Sequence, residues 1–174
     1  MWIIIFLELI TFGMALCAMA FYSKEAPEVF HNSKLQLNTT IGTVNTLFLI
    51  ISGYFMALSV DSFKQKNIQK SRLFLKLTML GGVLFLALKG FEYYDKIEAG
   101  LTIGYNTFFT FYWMLTLFHV IHVLVGLVIL FSVFIKLNPN SCKTKIEDVE
   151  ASAAFWHMCD LIWLLLFPVI YLLF

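Results

Sequence analysis

The chain has 174 residues, 60% of them hydrophobic and only 13% charged, about half the charged share of an ordinary soluble domain. With 19 phenylalanines and a strongly positive mean hydropathy, it holds more apolar side chain than a soluble fold of this length can cover, so lipid must solvate much of it. A net charge of +1 gives no basis for nucleic acid as a partner, and the three scattered cysteines, Cys17, Cys142 and Cys159, form no CxxC pair that would indicate a disulfide framework or a thiolate metal site.

Five apolar runs, each near the ~20 residues that cross a bilayer, predict an all-α polytopic membrane protein: one transmembrane domain over residues 1–174, built as a five-helix bundle. The first run covers about 2–22. Its Ala18-Met19-Ala20 imitates a signal-peptide cleavage site, but no basic segment precedes it and Glu8 interrupts it, so the run is read as a retained helix. A polar connection from Ser23 to Thr40 leads to the second run, about 41–63, where Asn45 and Ser52 form a thin polar stripe suited to hydrogen bonds between helices. The third run, about 73–94, follows Lys64 to Arg72. The fourth, about 108–135, follows Asp95 to Thr107 and is long enough to tilt or protrude. The fifth, about 151–174, follows Lys136 to Glu150 and contains Pro168, which should kink it and free the carbonyl of Leu164. Barrel strands would be half as long and would alternate apolar with polar residues, and these runs do neither.

Loop charges set an expected orientation. Lys64, Lys66, Lys70, Arg72, Lys76, Lys136, Lys143 and Lys145 fall on one side, against Lys24, Lys34, Lys89 and Lys96 on the other. The excess of positive charge places the first side, and with it the N-terminus, in the cytoplasm, and the C-terminus outside.

Ionisable groups within the runs carry the functional information, because hydrocarbon penalises them unless they face protein. Glu8 and His157 each sit ~10 Å from the cytoplasmic boundary by helix rise, with Asp160 one turn deeper, so the three are expected to meet in the inner half of the bundle. His157 and Asp160, spaced i, i+3, share a helix face. His119, His122 and Gly126 share another, where glycine admits a neighbouring helix. Two readings of Glu8 stand: a proton-carrying acid held neutral by burial, or a partner that ties helices together. An orienting pair is the simpler reading of His157 with Asp160, since no nucleophile lies nearby in sequence. A bis-histidine haem would need histidines from different helices at one depth, and His119 and His122 lie ~10 Å or more from the level of His157.

At the fifth run the string Glu150-Ala-Ser-Ala-Ala-Phe-Trp-His157-Met-Cys-Asp160-Leu-Ile-Trp163 resembles the last helix of the cytochrome c oxidase subunit III family. The Phe118-His119-Val-Ile-His122-Val-Leu-Val-Gly126 string is similar to the family's His-x-x-His-Val-x-x-Gly pattern, and Phe91-Glu92-Tyr93-Tyr94 to its Glu-Tyr-Tyr. Glu8 before Phe12 and Gly13 resembles the stretch bearing the family's carbodiimide-reactive glutamate. The chain departs from the seven-helix mitochondrial type by beginning at the equivalent of the third helix, without the two-helix arm that closes a lipid-filled cleft. Five-helix relatives include bacterial oxidase subunits and the accessory subunit encoded with nitric oxide reductases.

The resemblance implies a non-catalytic subunit in a prokaryotic cell (inner) membrane. It would stabilise a haem-bearing catalytic subunit and support proton uptake while cytochrome c or quinol reduces oxygen. No cofactor would sit on this chain. Haem with copper, or haem with non-haem iron in the reductase alternative, would belong to the partner, and bound phospholipid is compatible with the family. Glu8 would be the reactive acid; Glu150, His157 and Asp160 the polar core of the last helix; and His119, His122, Glu92 and Trp163 structural residues. A small membrane haem-binding protein is the reading from another class.

Overall fold

The computed structural model describes residues 2–137 and 144–173, and among these every regular element is a helix. Five are long and apolar enough to cross a membrane: α1 (Trp2–Glu25), α3 (Thr39–Lys64), α4 (Ile68–Glu98), α5 (Thr107–Lys136) and α6 (Ile146–Tyr171). The sixth, α2 (Pro27–Leu35), lies inside what the sequence presents as a polar connection. Pro27 at its first turn has the backbone angle a helix start needs and no N–H to leave unbonded.

The helices outrun the apolar runs by several residues at some ends, for example Ile68 against Leu73 and Ile146 against Ala151. Hydropathy marks where lipid stops, whereas helix hydrogen bonding continues into water until a capping residue ends it. Asn38, Asn67 and Asn106 are those caps, their side-chain oxygens accepting from the backbone N–H of Thr40 and Ile41, of Lys70, and of Phe109. In α6 the helix continues past Pro168 to Tyr171.

The helices run up and down. α3 and α4 form the closest pair, α6 packs against α3 and α5, and α1 lies at the edge against α5 and α6. Between α3 and α4 one member of the expected polar stripe bonds across, Ser52 Oγ donating to Thr78 O at 2.8 Å, while Asn45 is buried with neither amide atom hydrogen-bonded; Ser59 Oγ adds a bond to Ser71 O at 2.9 Å. Trp156 of α6 fills the centre, fully buried, its Nε1 donating to Ser52 Oγ at 3.1 Å. Gly82 of α4 makes the space for its ring, since a Cβ there would stand 2.6 Å from Trp156 Cη2. Gly126 of α5 faces the same ring from the other side.

One end of the bundle gathers Lys64, Lys66, Lys70, Arg72, Lys76, Lys136 and Lys145 and is called the basic end below. The opposite end is covered by α2. There Phe30 packs edge-on against Phe108 of α5 at 5.5 Å, Asn106 Nδ2 donates to Ser33 Oγ at 2.8 Å, and Lys96 Nζ donates to Gln36 O.

Candidate functional site

The ionisable groups at membrane depth fall into three places. The first lies between α1 and α5, where Glu8 Oε2 stands 3.2 Å from His122 Nε2, at ion-pair distance though off the line of a hydrogen bond. His122 Nδ1 is 2.8 Å from Phe118 O, one turn back, so Nδ1 carries a proton and donates it. A ring in that tautomer turns Nε2 toward the carboxylate, at ion-pair distance and without a hydrogen bond. Phe12 stacks on Phe118 at 5.2 Å and meets the His122 ring edge-on at 5.8 Å, so aromatic rings wall the pair.

Glu8 is therefore set against His122 and not against His157. His122 lies 14 residues, ~21 Å, from the end of α5, while Glu8 lies 6 residues, ~9 Å, from the start of α1. The contact between them means that α5 outruns α1 at the basic end by about 12 Å, the difference between those two lengths.

The second place is on the face shared by α3 and α6. His157 Nδ1 lies 3.4 Å from Asp160 Oδ2, as the i, i+3 spacing requires, but the His157 side chain is 45% exposed and that of Asp160 only 11%. Gly53 of α3 admits the Asp160 carboxylate, which would clash with any Cβ there, and Asp160 Oδ1 is buried without a hydrogen-bond partner. Glu150 lies further toward the basic end, where its Oε1 meets Lys64 Nζ at 2.7 Å on an open surface. Of the three residues expected to form the polar core of the last helix, only Asp160 is buried.

The third place was not recognised from sequence as a cluster. Toward the α2 end, Lys89 and Glu92 form a fully buried pair at 2.9 Å. Lys89 Nζ also donates to Tyr171 Oη at 2.9 Å and Tyr112 Oη at 3.2 Å, while both hydroxyls donate to Glu92 Oε1, at 2.5 and 2.9 Å. The ammonium lies within 5.5 Å of the ring centres of Tyr93, Tyr112, Trp163 and Tyr171. Here α4, α5 and α6 are joined through one neutralised charge pair. The signal that could have found it is an i, i+3 lysine and glutamate within the third apolar run. His119 is fully buried nearby, its ring stacked on Trp163 at 5.2 Å and edge-on to Phe85 at 5.7 Å, with neither nitrogen hydrogen-bonded. Trp163 Nε1 donates to Thr46 Oγ1 at 3.0 Å.

No nucleophile stands beside a base in any of these places, and among the described residues no three His, Cys, Asp or Glu side chains come together as a metal site needs. His119 and His122 have separate surroundings and do not converge with His157 on a common centre. The chemistry available is a charge contact between Glu8 and His122, and hydrogen bonding to a neighbour at Asp160 and His157.

Residues 5–173 match the family described as Cytochrome c oxidase subunit III. Among similar proteins, the cytochrome bo(3) ubiquinol oxidase subunit 3 of Buchnera aphidicola is 26% identical over 99% of this chain and 84% of its own length. A probable cytochrome c oxidase subunit 3 of Mycobacterium leprae is 31% identical over 78% of this chain and 68% of its own. The cytochrome c oxidase subunit 3 of Drosophila melanogaster is 34% identical over 75% of this chain, but the match spans only 49% of the insect protein.

Proposed function

Because the chain belongs to the cytochrome c oxidase subunit III family, we propose that it serves as the non-catalytic subunit III of a haem-copper oxidase, packed in the membrane beside the haem-bearing subunit. The observation that carries this reading is the match over residues 5–173, with relatives named as subunits of both quinol and cytochrome c oxidases. Nothing among these relatives favours the nitric oxide reductase alternative.

The α3 and α6 face is where the catalytic subunit docks. An imidazole nearly half exposed and a buried carboxylate with one unbonded oxygen are costly against hydrocarbon, and a neighbouring membrane helix bringing a donor relieves both. The outward faces of α1 and α5 present Ile3, Phe6, Ile10, Met14, Ile121 and Val128 and are suited to lipid. The basic end faces the cytoplasm of a prokaryotic cell, which puts Glu8 on the cytoplasmic half of α1 against the midpoint of α5, where it serves proton uptake toward the partner. Haem and copper belong to the partner.

The test is to tag the chain at its native level, extract it gently, and record an absorption spectrum together with the co-purifying proteins. Haem that arrives with a large subunit and leaves when that subunit is stripped supports the reading. A colourless chain without partners, or haem that stays on this chain alone, overturns it.

A further inference from the structure

On the face shared by α3 and α6, a groove opens at the basic end, lined by Ala57, Asp61 and Lys64 of α3 and by Glu150, Ala154 and His157 of α6. Its charge runs against its surroundings. Of the seven described lysines and arginines at that end, Lys64 alone lines the groove, and it is already paired with Glu150 at 2.7 Å. Asp61 has the neutral amide of Gln65, at 2.8 Å, as its side-chain partner among the described residues. Glu147, one turn before Glu150, stands on the same face of α6. Three carboxylates against one ammonium leave the mouth of the groove negative.

Between that mouth and His157 the wall is made by Ala57, Ala153 and Ala154, side chains short enough to let another helix come close. His157 lies seven residues, ~10 Å, deeper than Glu150 along α6. Asp160 Oδ2 stands 3.4 Å from its Nδ1, which leaves Nε2, on a side chain 45% exposed, to meet whatever fills the groove. Acyl chains bring no hydrogen bond to that nitrogen and no charge to the mouth. A helix brings both, and its backbone groups are already satisfied when it arrives.

We propose that a transmembrane helix of the partner subunit lies along this groove, with a lysine or arginine at the acidic mouth and a serine, threonine, asparagine or glutamine donating to His157 Nε2. The groove thereby specifies the helix that fits it: a basic residue and a hydrogen-bonding one about seven residues apart, with the basic one toward the cytoplasm. This rests on the chain being an accessory subunit, and it adds the chemistry by which the partner is recognised.

In membranes holding the complete complex, p-benzoylphenylalanine in place of Ala57 should cross-link to a membrane segment of the haem-bearing subunit that carries this pattern. The same photoprobe in place of Leu80, exposed on α4, should give no such adduct. Asp61→Asn with Glu147→Gln, both exposed, should lower the haem co-purified per tagged chain about tenfold, while Lys66→Gln with Lys70→Gln should leave it unchanged. Should the first pair lower the yield of the chain itself, the cross-link decides alone. An Ala57-site adduct to lipid only, or to a segment without the two residues, overturns the proposed occupant. So does an adduct to the haem-bearing subunit from position 80 and not from position 57, which moves the docking surface and leaves the accessory role standing. If neither probe reaches a haem-bearing subunit and the extract holds no haem, the accessory role falls as well.

Discussion

Glu8 and His122 meet across two helices at ion-pair distance, which makes the roles of the residue at position 8 separable by substitution. Glu8→Gln keeps a donor for His122 Nε2 and removes the titratable group, so assembly with the partner should match that of the wild type. Glu8→Ala leaves Nε2 facing the seam unpaired and should weaken assembly by about 1 kcal/mol, read by pull-down against a detergent series. Equal assembly of both variants, with proton uptake slowed in both, would put the proton-carrying role first. Lys89 is a harsher case. Lys89→Met strands the Glu92 carboxylate in the core with only tyrosine hydroxyls to hold it, and should cost about 3–5 kcal/mol in denaturant titrations in micelles. Adding Glu92→Gln should recover most of that loss, because the cluster is then neutral and still bonded. If the double variant is no more stable than the single one, the pair is not what holds α4, α5 and α6 together.

Among the helices, five of the six elements were legible in the apolar runs, because a membrane span must be apolar over its length whatever packs beside it. α2 was not legible. Pro-Glu-Val-Phe-His-Asn-Ser-Lys-Leu is neither apolar nor periodic enough to stand out, and it is held by Phe30 and Ser33 meeting α5, contacts invisible before the fold exists. The same limit governed the site. Spacing along one helix gave His157 with Asp160 correctly, while pairing between helices needed their relative heights, and α5 extending past α1 changed the partner of Glu8. Lys89 was counted with the loop charges, though its ammonium points inward. Gly126 was legible as a close-approach residue and Gly82 was not singled out, yet both face Trp156. Gly82→Ala places a methyl 2.6 Å from the indole and should cost about 1–3 kcal/mol in the same micelle titrations. Gly13→Ala, with nothing within 4 Å, should stay within about 1 kcal/mol of wild type. Equal losses at the two positions would mean that Trp156 can yield.

For the whole molecule, the proposed proton uptake through Glu8 has meaning only with the basic end facing the cytoplasm. The charge count and the position of Glu8 bear on this separately. Seven of the 11 described Lys and Arg residues lie toward the basic end, and Glu8 lies 6 residues from the start of α1 and 17 from its end. If both readings hold, a membrane-impermeant maleimide should label the two ends from opposite sides. With Cys17, Cys142 and Cys159 replaced by serine, Thr102→Cys, exposed in the connection before α5, should react in intact cells stripped of their wall. Lys66→Cys, exposed in the turn between α3 and α4, should react only in inverted vesicles. The reversed pattern would place Glu8 in the outer half of the membrane, and the acid would then stand on the wrong side to feed a partner with cytoplasmic protons. The docking face proposed on α3 and α6 would survive that reversal, because its cost against lipid is the same from either side. Labelling thus separates the proton-uptake role from the assembly role, which rest on different residues of the same bundle.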